Sequence, residues 1–191
     1  DTEQFDKSEP LLDRLLTVND RHPVLNQLKA ITRMHAKDYQ GALDYAEKSL
    51  LEDVENISTR VLAGFSAYFQ KKFDIANQHL SLVISELPSS HPALRILADS
   101  QLKLGLTLDA NETMQQFDRI TEQDVTLASG IGQALLRQGN IKQARQALEK
   151  QHASVQSPRA LANVGLLKLS LNDLDGILDL ESAMATIKQG N

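Results

Sequence analysis

Four alanines, Ala42, Ala76, Ala110 and Ala144, stand 34 residues apart along the chain. When the sequence is laid out in rows of 34 from Pro23, a second small column appears at the eighth place, filled by Ala30, Gly64, Ala98 and Gly132. Large side chains recur in phase with these: Met34, Tyr68, Leu102 and Leu136 at the twelfth place, and Tyr39, Phe73, Thr107 and Ile141 at the seventeenth. A fixed period of this length means one supersecondary unit copied in tandem, each copy burying its apolar face against the next. That restricts the fold more than any composition could.

Between the two small columns each row carries a break: "AKDY", "QKKF", "KLGLT" and "RQGN". Helical patterns flank the break, and Gly105 and Gly139 stand where a helix favours a left-handed C-terminal residue. Each row therefore reads as a helix, a tight turn and a second helix. Alanine or glycine on the facing sides lets the two backbones approach closely while the large columns interdigitate around them. A bulky replacement at Ala76 is expected to cost roughly 1–3 kcal/mol by overpacking.

This period, with small residues at places eight and twenty and Pro88 near a row end, resembles the tetratricopeptide repeat (TPR). The resemblance implies an all-α chain, a right-handed superhelical α-solenoid of helix-turn-helix repeats. Two departures bear on its regularity: no large aromatic stands near the start of the first helices, and the row-end proline is clear once. Repeats are expected at 23–56, 57–90, 91–124, 125–157 and 158–191 in a single continuous solenoid, with 1–22 as the second helix of a preceding repeat. Leu12, Leu15 and Leu16 would form the apolar face of that first helix. The fifth row begins one residue early, with Gly165 in the small column but Ile177 where alanine would stand, so its second helix is expected to sit further out. Neither end reads as a polar capping helix, which leads us to expect a segment of a longer array.

Two stretches, "HPVLNQLKAITRMHAKDYQGAL" and "SPRALANVGLLKLSLNDLDGILDLESAM", are similar to segments of the large TPR lipoproteins found beside exosortase and exopolysaccharide genes in Gram-negative bacteria, the PEP-CTERM-system TPR proteins. The likeness is carried by Leu28, Lys29 and Ala30 and by Pro158 to Asp173. It implies a longer parent protein facing the periplasm and held by a lipid anchor outside this chain. It brings no catalytic residues with it.

The chemistry-bearing residues are sparse. Cysteine is absent, which removes disulfides, thiolate nucleophiles and Cys-based zinc sites. The histidines His22, His35, His79, His91 and His152 form no metal-ligand spacing and read as turn or surface residues; His22 and His91 each precede a proline. "GIGQAL", from Gly130, imitates part of a dinucleotide fingerprint without its last glycine or a preceding strand. "AGFSAY" lacks the second glycine and the elbow that would present Ser66 as a nucleophile. Asp173 and Asp175 read as helix-start carboxylates that complement exposed N–H groups. No enzyme, no metal and no cofactor is expected. A net charge of −5 offers no excess positive field for phosphate backbones, so no nucleic acid is expected as partner. No run of 18 apolar residues is present, and the opening "DTEQFDKSEP" lacks the regions of a signal peptide. With 41% hydrophobic residues, 4% aromatics and no Trp, the core is expected to be aliphatic.

In the family the resemblance points to, the first helix of each repeat lines a concave groove. Carried onto this sequence, the groove residues are Gln27, Ile31, Phe65, Phe69, Arg95, Asp99, Lys103, Gln133 and Arg137. They run from apolar to mixed charge, which suits an extended or helical peptide with one apolar end. Against this stands the plainer reading that Phe65, Tyr68 and Phe69 complete the core between rows. The Lys and Asn that clamp a peptide carboxylate in chaperone-type grooves are missing: Gln27 with Ile31, Val61 with Phe65, and Arg95 with Asp99 stand in those places. The sequence thus points to a non-catalytic protein-binding scaffold of an envelope assembly or export system. The alternatives are a polysaccharide-handling module, which the lack of Trp and the three Tyr disfavour, and a docking arm of a larger enzyme.

Overall fold

The computed structural model describes the backbone over residues 2–154 and 157–189, and side chains over 9–151 and 157–187. Among these residues all regular structure is helical, and it divides into two compact units, residues 1–87 and 88–191, where the repeat phase alone suggests one continuous domain. The first unit contains α1 (Thr2–Val18), α2 (Pro23–His35), α3 (Tyr39–Glu52), α4 (Ile57–Phe69) and α5 (Phe73–Ser81), followed by a 3₁₀ turn at Ile84–Glu86. The second contains α6 (Pro92–Lys103), α7 (Thr107–Gln115), a 3₁₀ turn at Glu122–Asp124, α8 (Val125–Arg137), α9 (Ile141–Ser154), α10 (Pro158–Ser170) and α11 (Gly176–Gln189). The division falls where Leu87 turns extended ahead of Pro88, whose ring disfavours helix in the residue before it. Helices α2 with α3, α4 with α5, α6 with α7, α8 with α9 and α10 with α11 pack against each other as helix-turn-helix pairs.

Local chemistry sets the helix starts. Pro23, Pro92 and Pro158 each open a helix at a place where the missing N–H would have had no partner. The residue before each accepts a backbone N–H: His22 from Leu25, His91 from Ala93 and Ser157 from Ala160. Asp38 caps α3 through Gly41 N–H at 3.0 Å, and Asn56 caps α4 through Thr59 N–H at 2.9 Å.

The hairpin turns are alike. Lys37, Lys71, Gly105, Gly139 and Asn172 all lie in the left-handed region, with φ of 60, 62, 77, 75 and 58°. Each ends its helix with the same pair of bonds; Lys37 N–H donates to Met34 C=O at 3.0 Å and Asp38 N–H to Arg33 C=O at 2.9 Å, and the pattern repeats at the other four. This is the Schellman arrangement, which satisfies two carbonyls left open at a helix end. Two lysines and an asparagine hold positions where the two glycines suggested that glycine is needed.

Ala42, Ala76, Ala110 and Ala144 are fully buried, as are Ala30 and Ala98. In the first unit Ala30, Leu43, Ala46, Leu50, Ala63, Ala67 and Ala76 form one core, with Tyr45, Leu62, Tyr68 and Ile75 packed against it. A Cβ on Gly64 would come within 2.5 Å of the Leu80 side chain on α5, so the second helix of the hairpin fills the space a side chain would take. In the second unit a Cβ on Gly132 would meet Leu167 of α10 at 2.8 Å, which packs one hairpin onto the next.

Two expectations are corrected here. In the last hairpin α11 does not sit further out. A Cβ on Gly165 would lie 2.6 Å from the Gly176 carbonyl oxygen, so α10 and α11 touch backbone to backbone. Gly176 supplies the small residue one place ahead of the alanine column, and Ile177 turns to the exposed side. On α1, Leu12 is buried and Leu16 half-buried, but Leu15 is exposed. The stripe that meets α2 is Glu9, Leu12, Asp13 and Leu16, and Leu15 falls beside it. Lys29 of α2, with a side chain 0% exposed, reaches Glu9 Oε1 at 2.9 Å and Asp13 Oδ1 at 2.6 Å, and Arg33 reaches the same Glu9 oxygen at 3.0 Å. A buried ammonium held by two carboxylates thus fastens α1, where leucine packing alone was expected.

Candidate partner-binding surfaces

In the first unit the stripe Val24, Leu28, Ile31 recurs along α2 at spacings of four and three, so the three side chains share one face. Beside it α4 carries Val61, Phe65 and Phe69 at intervals of four. Val24 and Leu28 are exposed, Ile31, Val61 and Phe65 half-buried, and Phe69 keeps 49% of its surface in solvent. Phe69 stacks on Tyr39 with ring centroids 4.9 Å apart and meets the edge of Tyr68 at 5.8 Å; Tyr68 in turn meets Phe73 at 5.8 Å. The ring cluster anchors Phe69 and still leaves half of it open, so core packing and an exposed aromatic surface coexist in one residue. Gln27 donates from Nε2 to Asn56 Oδ1 at 3.4 Å, which ties it to the cap of α4.

The second unit presents a different surface. Arg95 is drawn into an internal network: Nε donates to Asp124 Oδ1 at 2.8 Å, and the guanidinium lies 4.8 Å from the Phe117 ring centroid. Asp124 is itself buried and accepts from Thr121 N–H at 2.8 Å and Thr121 Oγ1 at 2.7 Å, closing a capping box. An arginine so held braces α6 against the turn before α8. Sequence reading missed this partnership, although the Thr-x-x-Asp spacing at Thr121 and Asp124 is a recognisable cap signal. On α6, Asp99 is half-buried and Lys103 exposed. On α8, Gln133 and Arg137 are exposed one turn apart and, with Leu136, Ile141 and Ser170, line a shallow depression of about 400 Å³.

The candidates for chemistry fall into structural places. Ser66 Oγ donates to Leu62 C=O at 2.7 Å within α4. "GIGQAL" lies inside α8, with no strand before it among the described residues. Asp173 Oδ1 accepts from Asp175 N–H at 3.1 Å in the turn before α11. His22 and His91 are the N-caps described above and His35 is exposed; the His152 side chain lies outside the described residues. His79 departs from the expected surface placement: it is buried at 8% exposure on α5, with Nε2 3.8 Å from Glu47 Oε1 of α3 and Nδ1 without a hydrogen-bond partner among the described residues. Burial pushes its pKa down, Glu47 opposes this, and Arg60 adds to the lowering. Among the described residues, no three His, Asp or Glu side chains gather as metal ligands, and no helix is long and apolar enough to cross a membrane.

No family model matches the chain, and no curated protein does. Solved structures match its fold. A crystal structure of MamA superposes with a TM-score of 0.69 at 17% identity, covering 87% of this chain and 92% of that one. YrrB, described as a TPR protein with an unusual peptide-binding site, gives 0.68 at 15% identity over 91% of both chains. PilF of Pseudomonas aeruginosa gives 0.60 at 18% identity, covering 98% of this chain and 84% of that one. The chain is similar to these in fold: an all-α protein of paired helices packed as in TPR structures.

Proposed function

We propose that this chain is a non-catalytic protein-interaction module that binds a peptide segment on the first-helix faces of its hairpins. The observation that carries the reading is the strip formed by Val24, Leu28, Ile31, Phe65 and Phe69 in the first unit, with Val24, Leu28 and half of Phe69 open to solvent. An amphipathic helix or extended segment laying apolar side chains there would bury surface worth about 25 cal/mol per Å². The peptide-binding site named for YrrB supports a peptide as the ligand class on this fold. Asp99, Lys103, Gln133 and Arg137 on the second unit offer polar contacts, whereas Arg95 acts as a brace and Gln27 as a tie to α4.

The finer reading places the module in a larger, lipid-anchored envelope protein serving protein sorting or exopolysaccharide export, on the strength of the two stretches around Lys29 and Pro158 to Asp173. A photo-crosslinking amino acid at Leu28 or Phe69, expressed in the native host, tests the binding surface. Discrete protein adducts at these positions, lost when Phe65→Glu is added, are the expected result. Adducts from the α5 position Asp74 but none from Leu28 or Phe69 would refute it. Cell fractionation tests the compartment. Titration with the exopolymer, followed by tyrosine emission, tests the polysaccharide alternative, and the full reading frame shows whether an enzyme domain adjoins.

A further inference from the structure

The apolar strip of the first unit ends at Phe69, the last residue of α4, which stacks on Tyr39, the first residue of α3. Two hairpin turns therefore meet beside the strip, at 36–38 and 70–72, and polar bonds tie them together. Gln70 Nε2 donates to Tyr39 C=O at 2.9 Å, and Lys72 Nζ to Gln40 Oε1 at 2.6 Å. Each turn carries a lysine at its left-handed position, Lys37 at φ 60° and Lys71 at φ 62°. Both are exposed, and among the described residues neither is held in an ion pair. Asp38, the carboxylate of the first turn, is occupied by Gly41 N–H and the Arg33 guanidinium.

Lysine is a poor residue for that backbone. The second unit places Gly105, Gly139 and Asn172 at the same point of the turn, the residue types that enter the left-handed region most readily. The bonds that close the turns at Lys37 and Lys71 are made by backbone groups, so the fold itself does not need the lysine side chains. Strain kept at two adjacent turns points to a role outside the fold. What the side chains add is a pair of ammonium groups one hairpin apart, next to the half-open ring of Phe69. At the other end of the strip, before Val24 and before Ile57, the exposed charges are Asp20, Arg21 and Glu55, which are acidic in balance. The strip thus runs from an acidic end at the helix starts to a basic end at the turns.

We propose that the peptide bound on this strip carries acidic side chains next to its apolar ones, and that Lys37 and Lys71 hold them over the paired turns. Peptide binding on the strip is the premise, and what is added is the partner's charge and its orientation. The arrangement is not a clamp for a terminal carboxylate: both lysines stand on turns and not on the first-helix faces, and an internal acidic run satisfies them. With a net charge of −5 the whole protein repels an acidic peptide, so a preference for one has to come from these local cations.

The test is fluorescence anisotropy of the full chain with labelled synthetic peptides blocked at both ends, each carrying leucines at helical spacings of four and three. One has a run of glutamates after the last leucine, one has the run before the first, and one has glutamines in place of the glutamates. One glutamate peptide is expected to bind about tenfold more tightly than the glutamine peptide, and which of the two does so gives the direction of the bound chain. The preference shrinks as sodium chloride is raised from about 50 to about 500 mM. Lys37→Gly and Lys71→Gly are each expected to weaken the glutamate peptide about threefold and to leave the glutamine peptide unchanged. Both relieve backbone strain and so keep or raise the melting temperature, which separates lost binding from lost folding. Lys71→Glu turns the preference toward a lysine-tailed peptide, and Phe65→Glu weakens every peptide. Equal binding of glutamate and glutamine peptides, or a preference that survives both glycine variants, overturns the proposal and leaves the peptide strip standing. No binding of any peptide up to about 1 mM overturns both. Glycine variants that melt earlier with unchanged affinity assign the lysines to the helix ends and overturn the proposal as well.

Discussion

Replacing Gly165 by alanine probes the closest approach of two helices in the protein's last hairpin. The added Cβ would lie 2.6 Å from Gly176 O, 2.9 Å from Leu180 Cγ and 3.2 Å from Asp179 Cβ. Ordinary contact begins at 3.4 Å, and the nearest obstacle is backbone, so no rotamer change relieves it. Helix α11 must recede by about 0.8 Å, a gap that forfeits a quarter to a half of the dispersion energy of each facing atom pair. Overpacking of this kind costs about 1–3 kcal/mol, while alanine in a helix interior regains about 1 kcal/mol over glycine. Because the obstacle is backbone, the overpacking takes the upper part of that range, about 2–3 kcal/mol, and the expected net loss is about 1–2 kcal/mol. Gly132→Ala is the matched control: its Cβ meets the Leu167 methyl Cδ2 at 2.8 Å, the flexible end of a side chain, so the helix-propensity gain about offsets the crowding. Because a chain of two compact units need not unfold in one step, urea denaturation by circular dichroism is paired with amide hydrogen exchange read at α10 and α11. A Gly165→Ala protein as stable as the parent, with unchanged exchange in α10 and α11, would refute the claim that glycine is required there by contact.

Lys71→Gly is expected to stabilise the chain by about 1 kcal/mol, because a side chain at φ 62° is strained, and Gly139→Ala, at φ 75°, to destabilise it by about as much; thermal melts of both decide it. Lys29→Ala leaves Glu9 and Asp13 facing each other without their shared cation, and is expected to cost about 2–3 kcal/mol, seen as loss of hydrogen-exchange protection in α1 before α3 or α4. His79 has a folded pKa below the unfolded value, so the unfolded state binds more protons as pH falls. Its stabilising contribution is complete above the ordinary histidine value of 6.5 and is lost as pH drops through the folded pKa. Denaturation midpoints of the parent should fall in that window more than those of His79→Gln, and an imidazole titrating at or above 6.5 would contradict this.

Parts of the structure were legible in one dimension because they obey a fixed interval. The helix pairing, the buried alanines and the turn positions all follow from which residues repeat every 34 places. The turn glycines showed what conformation was needed but not that Lys37, Lys71 and Asn172 adopt it too, since the paired carbonyl bonds compensate the strain. The candidate surface was legible in part. Phe69 stood out as large and apolar, whereas its stacking on Tyr39 depends on a neighbouring hairpin 30 residues earlier. Arg95 looked like a groove residue because spacing counts the side of a helix and not what arrives opposite it.

Periodicity acts through local geometry, and local geometry is written in consecutive residues; that is why this chain's helices, its hairpins and their small contact points could be read before any coordinates. Charge and polarity act through space. Whether Lys29 would be buried between two carboxylates, Arg95 occupied by Asp124 or His79 enclosed depended on which helix faces met. Those meetings exist in the packed tertiary structure, where low exposure turns an ordinary polar side chain into one that must find a partner.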